Sequence, residues 1–355
     1  MVKSTRPPAN GFVAVARKVY NPIGFSKGYN FVLFFIFAGA MMGFVLARLQ
    51  YIDHYGVYCS DPGIGECYWY TDKGVYEIGF RMHVASILPA SFLVCFQFVP
   101  AIRHKALLFH RMNGYAILFL CMTSTAGAFM ATRHSFGGGL DIQTSVGFLG
   151  ILFTVCMVLA YINVKRLQIE QHRAWMLRGW FYAACIITQR IIGIVMTLIA
   201  GSSGDYSAAR SCAQVDFILG ANRTHDLFPA CEPFYTGQNP EQQVLVPAKF
   251  GTDDQTAATV GAAFGETFGA ALWLALAIHA IGIEIYLHLT PYEHERLRQV
   301  SYLRQNEAGM KNPGSAGLTA DRLGDAKLWE PTVVEEPKGP EIELTDKGAA
   351  HTNHD

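Results

Sequence analysis

The sequence predicts an all-α protein, a polytopic transmembrane helix bundle of about six spans with a four-helix unit and flanking helices. Three observations predict this fold. Only 16% of the 355 residues are charged, whereas soluble domains carry roughly 25%. Six stretches are apolar over about the 20 residues that a helix needs to cross a hydrocarbon core about 30 Å thick. The Lys and Arg residues are concentrated in alternate segments between these stretches.

The predicted spans are continuous apolar runs, without the alternation of apolar and polar residues that barrel strands show. A helix also satisfies its own backbone hydrogen bonds, which lipid cannot do. The residues before the first span carry five basic side chains and no acidic one, so we expect this span to stay as a signal anchor. The six spans lie at roughly residues 31–49, 80–101, 113–131, 144–162, 175–200 and 264–289.

The placement of basic residues predicts which way the bundle faces. Segments 102–112 and 163–174 each carry three Lys or Arg residues, and both tails are also basic. Segment 50–79 has one Lys and five acidic residues, and segment 201–263 is also poor in basic residues for its length. Because cytoplasmic loops are enriched in Lys and Arg, we predict that both termini are cytoplasmic.

This topology divides the chain into three regions. They are a cytoplasmic tail at 1–30, a membrane domain at 31–290 with outside loops 50–79 and 201–263, and a cytoplasmic tail at 291–355. The last tail has few large apolar residues after about residue 300, so we expect it to be mostly disordered.

Cysteine placement agrees with this orientation. Cys59, Cys67, Cys212 and Cys231 lie in the two long outside loops, and the other four of the eight cysteines lie within spans. This pattern favours disulfides on an oxidising side of the membrane. Three pairings are open, of which Cys59–Cys67 with Cys212–Cys231 is the simplest. Asn222 begins an Asn-Arg-Thr glycosylation triplet in an outside loop, so we predict a glycoprotein of the secretory pathway, in the endoplasmic reticulum, vacuolar or plasma membrane.

Polar residues on the fifth span predict an interior polar site. Arg178, Tyr182, Cys185 and Gln189 are spaced by four, three and four residues, which places them on one stripe of a helix. Such a stripe is expected to face the bundle interior or a wet cavity, and Arg190 lies beside it.

The acid expected to pair with Arg190 is Glu266, at the outer start of the sixth span. With Gln189 and with His83, which begins the second span, these residues predict a polar pocket in the outer leaflet. The alternative is that these residues form a buried salt bridge and a hydrogen-bonded histidine whose only role is to hold the helices together. Ionisable groups in membrane spans also form such purely structural pairs.

Three glycines at the start of the sixth span, Gly261, Gly265 and Gly269, form overlapping small-xxx-small patterns. They predict a close contact between helices, without indicating any chemistry.

Two His-Arg motifs and several single residues form a pattern over about residues 80–192. Its members are His83, Gln97-Phe98, Arg103, His110-Arg111-x-x-Gly114-Tyr115, Gly137 to Gly139, Gly147-Phe148, His172-Arg173-x-Trp175-Met176-x-Arg178 and Arg190. This pattern resembles an uncharacterised family of predicted integral membrane proteins, a domain of unknown function found in bacteria and fungi. The resemblance implies a shared four-helix unit and carries no established activity.

The first functional hypothesis is a b-type haem protein that transfers electrons in or across the membrane. His83, His110 and His172 recur at span ends, and imidazole is a common axial ligand of haem iron. Of these three, His110 and His172 lie near the inner membrane face, so we expect them to share an inner haem. For an outer haem, the expected partner of His83 is His134, which lies in a Gly-rich loop rather than in a helix. Basic residues here also serve as simple membrane anchors.

The alternative is a non-haem membrane enzyme or carrier for a small lipophilic molecule, or an accessory membrane protein without catalysis. The polar stripe of the fifth span would line its site. Closely spaced histidine boxes, a His-Glu-x-x-His motif and a Gly-x-Ser-x-Gly turn are all missing from the sequence. We therefore predict no metal site, and the expected partners are the bilayer and a lipophilic ligand rather than nucleic acid.

Overall fold

The computed structural model describes residues 7–60, 64–72, 74–315 and 317–332. The chain forms two compact units: Met1–Ile162 with His172–Thr290, and Asn163–Gln171 with Pro291–Asp355. Within the described residues, six helices are long and apolar enough to cross a membrane, one for each predicted span. The predicted fold class is therefore confirmed.

The spanning helices are longer than the predicted apolar stretches, because hydropathy marks only their centres. The last one begins after Thr256, whose hydroxyl accepts a hydrogen bond from the Thr259 N–H at 3.2 Å. The spanning helices are α2 (Gly28–Arg48, extended by a 3-10 turn at Leu49–Ile52), α4 (Val75–Gln97), α6 (Leu107–Ala131), α7 (Leu140–Lys165), α8 (Ile169–Ser203) and α12 (Ala257–His288).

Shorter elements connect and flank these spans. The helices are α1 (Gly11–Tyr20), α3 (Ile64–Tyr70), α5 (Pro100–Lys105), α9 (Cys212–Leu219), α10 (Ala221–Leu227), α11 (Glu232–Tyr235), α13 (Pro291–Glu307) and α14 (Ala320–Leu323). A π-helical turn covers His54–Tyr58, and 3-10 turns cover Ser135–Gly137 and Pro229–Cys231. Strands β1 (Ser207–Ser211) and β2 (Gln243–Pro247) pair antiparallel, with Ala209 opposite Leu245.

The core of the first unit is formed by α4, α6, α7 and α8, the spans of the predicted four-helix unit. Helices α4 and α6 cross most closely at Gly79 and Gly127. A Cβ atom added at Gly127 would lie 2.6 Å from the Gly79 carbonyl oxygen and 2.7 Å from the His83 nitrogen. The buried residues of this core are Ala90, Val94, Ile117, Cys121, Phe153, Cys156, Met157 and Trp180.

Helix α12 packs through Phe268, Leu272 and Leu276 against residues of α7 and α8. Its three glycines have different neighbours. A Cβ at Gly265 would meet the Phe136 carbonyl oxygen at 2.6 Å, whereas Gly261 has nothing within 4 Å. A Cβ at Gly269 would lie 2.8 Å from the Asp141 backbone carbon, so α12 closely approaches the start of α7 there and the loop before α7 at Gly265.

Both disulfides lie at one end of the bundle, which we call the disulfide end. It holds the connections from α2 to α4, from α6 to α7 and from α8 to α12. The bonds are Cys59–Cys67 and Cys212–Cys231, which confirms the simplest predicted pairing. Segment 201–263 is more ordered than a loop: β1, β2 and α9 enclose the second disulfide in a small core with Val215 and Val246.

The second unit holds a described part of the C-terminal tail, for which we expected mostly disorder. In this unit, Arg298 of α13 binds Asp321 of α14 with an N–O distance of 2.6 Å. The Ser301 hydroxyl donates to Glu170 at 2.5 Å, and the Gln305 amide donates to the Arg166 carbonyl at 3.0 Å. Polar contacts hold this segment, and a prediction based on apolar content alone overlooks them. Residues 333–355 lie outside the described part of the chain.

Candidate polar site at the disulfide end

Glu66 is the centre of a polar cluster at the disulfide end. Its carboxylate accepts hydrogen bonds from the Tyr58 hydroxyl and from the backbone N–H of Phe136. The Cys59–Cys67 disulfide joins the residues that follow Tyr58 and Glu66 directly in the chain. We call Tyr58, Glu66, Phe136, Arg190 and Arg210 the Glu66 cluster.

Helix α3, which carries Glu66, is fixed at its end by Tyr70. The Tyr70 side chain is 1% exposed. Its hydroxyl lies 2.7 Å from the Ser135 hydroxyl and donates to the Ala131 carbonyl at 3.4 Å. Because Ala131 ends α6 and Ser135 begins the next turn, the loop carrying Phe136 is bound to α3 at two neighbouring points.

Arg190 brings the fifth span into this cluster. The carbon of its guanidinium lies 5.1 Å from the ring centre of Phe136 and 5.4 Å from that of Phe268. Those two rings stack with centroids 3.9 Å apart. Glu66 is the acid that acts most strongly on the guanidinium. The buried Arg190 Nε finds no hydrogen-bond partner among the described residues, which leaves one donor unsatisfied.

Arg210 supplies a second guanidinium, from β1. It lies across the Gly-rich loop, because a Cβ at Gly137 would come within 2.4 Å of its Nη2. Glu266 and Glu66 are the acids that act on it. Glycine is favoured at position 137 by its φ of +96°, which other residues rarely adopt. The cluster therefore places two guanidinium groups around one partly buried carboxyl.

The backbone at Phe136 is strained. Its φ of 49° and ψ of 30° lie in the left-handed region that a bulky residue rarely adopts. Such a conformation persists only where the surroundings hold it. Here the Glu66 carboxylate binds its N–H, and the Phe268 ring binds its side chain.

Burial sets the acid–base properties of the cluster. It raises the pKa of the Glu66 carboxyl, while the hydrogen bonds from Tyr58 and Phe136 act in the opposite direction. Burial likewise raises the pKa of the Tyr58 hydroxyl well above its ordinary value, with the Glu66 charge adding to the effect. A carboxyl with a raised pKa and a neighbouring phenol can hold a proton and pass it on.

His134 lies in the same loop, and its ring packs between aromatic side chains. It stacks on Trp69 with centroids 3.7 Å apart and meets the Tyr76 ring edge-on. Burial and the charge of Arg133 lower the pKa of His134 to about 4. His83 has other neighbours, because its Nδ1 lies 2.9 Å from the Ser124 hydroxyl. The pair proposed from the sequence, His83 and His134, is not assembled by these contacts.

The polar stripe of the fifth span points inward along its length. Arg178 makes a two-pronged ion pair with Glu284, at 2.6 Å and 2.9 Å. Tyr182 packs between the two bundle cores. Gln189 is 2% exposed, and its Oε1 finds no partner among the described residues.

The acid expected beside Arg190 was wrongly identified. Glu66 takes that position, and Glu266 is exposed and acts on Arg210 instead. The error came from counting residues along the spans, which puts Glu266 at the same depth as Arg190, whereas Glu66 lies on α3, in the connection between two spans. Glu66, Tyr58 and Arg210 were all missed because they lie outside the spans, on short elements that carry no clear spacing signal. The position of Glu66 next to Cys67 was the one available clue.

The charge of His172 acts on His110 at the other end of the bundle. The His172 Nδ1 lies 2.9 Å from the Ala160 carbonyl oxygen. The His110 Nδ1 is buried without a hydrogen-bond partner in the part of the chain that the structure describes. A haem shared by these two histidines stays a prediction.

Fold and site together define a polytopic helical membrane protein with a charged cluster at one end of its bundle. Residues 80–218 match the family described as "Predicted membrane protein (DUF2306)", which confirms the resemblance predicted for residues 80–192. The chain is also similar to the "Ava biosynthesis cluster protein G" of Aspergillus versicolor. The two are 24% identical over 75% of this chain and 90% of that protein. No solved structure matches the chain.

Proposed function

We propose that this protein is a membrane-embedded biosynthetic enzyme that binds a small lipophilic molecule at the Glu66 cluster. The observation that carries the proposal is the buried Arg190 Nε, which has no hydrogen-bond partner among the described residues, where the Gln189 Oε1 is unpaired as well. Buried polar groups are nearly always hydrogen-bonded, so a donor and an acceptor left open on the same span indicate a ligand. The similarity to a protein named for a biosynthesis cluster supports the same class of function.

In this proposal Glu66 moves the proton. Its raised pKa favours the protonated form, which can protonate a bound carbonyl, alkene or leaving group. Arg190 and Arg210 stabilise the negative charge that develops on an oxygen, and Tyr58 supplies a second hydroxyl at the Glu66 carboxylate. The aromatic rings of Phe136 and Phe268 offer an apolar surface to the rest of the molecule. Because the reaction needs protonated Glu66, we expect the rate of substrate conversion to fall as the pH rises through the pKa of Glu66.

The cluster is proposed to face the lumen of a secretory-pathway membrane, with both termini in the cytoplasm. Two disulfides at the same end of the bundle support this orientation, because thiols stay reduced in the cytosol. Asn222 lies at this end in α10 and is proposed to be glycosylated. Two measurements test these statements. Endoglycosidase treatment should lower the mass of the wild-type protein and leave Asn222→Gln unchanged. A tag in the tail at 1–30 should be accessible only from the cytosol.

The function is tested with an extract from the source organism after deletion of this gene, because such an extract contains the unconverted substrate. Membranes bearing the wild-type protein are incubated with the extract, and the products are followed by mass spectrometry. We expect one compound to be consumed and another to appear, with the conversion lost in Glu66→Gln. The control is Glu241→Gln, which changes an exposed acid of the same face.

Conversion that survives in Glu66→Gln refutes the assignment of the proton transfer. A compound that co-purifies with the protein without being converted identifies a carrier instead. If the wild-type protein neither converts nor retains any compound that Arg190→Gln lacks, the Glu66 cluster is structural only.

A second candidate function, binding of a b-type haem, is supported by one observation. His110 and His172 lie close enough for their charges to interact, and the His172 Nδ1 is held by the Ala160 carbonyl. That anchoring leaves Nε2 as the coordinating nitrogen, as in many metal-binding histidines. A reduced-minus-oxidised spectrum of the solubilised protein tests this candidate. A haem band that is lost in His172→Ala and kept in His225→Ala, which changes an exposed histidine of α10, supports this candidate. A featureless spectrum from folded protein removes it.

A further inference from the structure

A buried imidazole lies beside one of the two disulfides. His54 is 4% exposed, and its ring packs 5.0 Å from Phe80 and 5.8 Å from Tyr58. A ring nitrogen of His54 and the sulfurs of Cys59 and Cys67 all lie within 4.8 Å of one another. Among the described residues, no other group of three metal-binding side chains comes this close.

The hydrogen bonds of His54 define which nitrogen is free. Its Nε2 lies 2.8 Å from the Tyr70 carbonyl oxygen. A carbonyl oxygen only accepts hydrogen bonds, so Nε2 must carry the proton and Nδ1 of the neutral ring carries a lone pair. The Nδ1 atom is buried and has no hydrogen-bond partner among the described residues. A buried imidazole nitrogen that carries a lone pair and makes no hydrogen bond can coordinate a metal ion.

We propose that His54, Cys59 and Cys67 form a metal site that is opened by reduction of the disulfide. A dithiol reductant supplies two electrons and two protons, is itself oxidised to a disulfide, and leaves Cys59 and Cys67 as thiols. A thiophilic cation such as Zn²⁺ then displaces one proton from each thiol and binds two thiolates and the His54 Nδ1. Oxidation of the thiols by a disulfide reverses the sequence and expels the ion.

The ligand set suits this class of ion. Thiolate and imidazole are the preferred ligands of zinc, which is often held by three protein groups and one exchangeable fourth ligand. With a Zn–S distance of about 2.3 Å, tetrahedral ligand atoms lie about 3.8 Å apart. The three groups therefore need only small movements once the two sulfurs separate. The proton on Nε2, bound by the Tyr70 carbonyl, provides the outer hydrogen bond that ligating histidines usually make.

The other disulfide offers no comparable site. Cys212 and Cys231 are both fully buried, and no imidazole joins them in a group of three within the described chain. The two disulfides therefore allow a direct comparison: among the described residues, one has a histidine ring nitrogen within 4.8 Å of its sulfurs and the other does not. This proposal does not depend on the proposed function, although the site adjoins Glu66.

The test uses the full-length protein in detergent, reduced with a phosphine, desalted without oxygen and titrated with Co²⁺ alone. Cobalt bound by thiolates shows an intense charge-transfer absorption. We expect one tightly bound cobalt ion in the wild-type protein, and in Cys212→Ser/Cys231→Ser, with Zn²⁺ displacing it. In His54→Gln, whose amide can still donate to the Tyr70 carbonyl, we expect at least a tenfold loss of affinity. The oxidised wild-type protein is expected to bind none.

Protection from alkylation tests the same site without a variant. In reduced wild-type protein, Zn²⁺ is expected to slow the labelling of Cys59 and Cys67 at least tenfold and to leave Cys212 and Cys231 unchanged. The proposal is overturned if reduced wild-type protein binds no cobalt, or if binding requires Cys212 and Cys231. Unchanged affinity in His54→Gln, or equal protection of all four cysteines, also overturns it.

Discussion

Replacing Gly127 by Ala tests how tightly α4 and α6 cross. The added Cβ would lie 2.6 Å from the Gly79 carbonyl oxygen, which is 0.8 Å short of the 3.4 Å where ordinary contact begins. The two nearest atoms belong to the backbone, so no side chain can turn away. The helices must separate, and overpacking of this kind costs about 1–3 kcal/mol.

The matched control is Gly147→Ala in α7, where the added Cβ meets nothing within 4 Å. Both changes gain the same helix propensity, about 1 kcal/mol. Their difference therefore isolates the steric cost of the crossing. At about 2–4 °C per kcal/mol, we expect Gly127→Ala to melt on the order of 5 °C below the control.

The assay uses the protein's own thiols. The four cysteines outside the disulfides, Cys95, Cys121, Cys156 and Cys185, are all buried. A maleimide dye that fluoresces on reaction therefore reports unfolding as the detergent-solubilised protein is heated. Equal melting temperatures for the two variants would refute the close crossing, and with it the placement of His83 against α6.

Three further predictions concern other parts of the chain. In the wild-type protein, stability should fall as the pH is lowered from about 6.5 to 4, because His134 takes up a proton in the unfolded chain before it does so in the folded one. His134→Phe should keep the stacking on Trp69 and reduce this fall. An unchanged pH dependence of the melting temperature contradicts the prediction. Asp321→Asn should cost about 3 kcal/mol within the second unit, since it leaves the buried Arg298 unpaired. Faster amide exchange in α13, absent from the exposed control Glu307→Gln, would show it. Maleimide labelling after denaturation should add four labels before reduction and eight after it, and any other count is inconsistent with two disulfides.

The spans were predictable because twenty apolar residues in a row have few alternatives in water or lipid. The disulfide pairing was predictable for a related reason, since Cys59 and Cys67 are near neighbours in the chain. The partner of Arg190 was not predictable. It depends on how α3 folds back over the bundle end, and the interactions that place it are a few hydrogen bonds of Tyr70 and Glu66.

The segment from Ser207 to Pro247 shows a second limit. Its strands are only five residues long, and a small core around one disulfide holds them. Alternation over so few residues does not distinguish a strand from a loop. The order in α13 was hidden for another reason, because its partners Glu170 and Arg166 lie more than 120 residues earlier in the chain.

Phe136 lies in contact with both the Glu66 carboxylate and the Arg190 guanidinium and so couples these two charged groups. Its N–H binds Glu66 while its ring lies against the Arg190 guanidinium, so neither group can change without disturbing the other. A proton gained by Glu66 weakens the hold on a backbone that is already unfavourable, and the loop can then relax away from Arg190. By thermodynamic linkage, a molecule that displaces Phe136 from Arg190 must also alter the proton affinity of Glu66. Under the proposed function, Phe136 would therefore link proton uptake by Glu66 to ligand binding at Arg190.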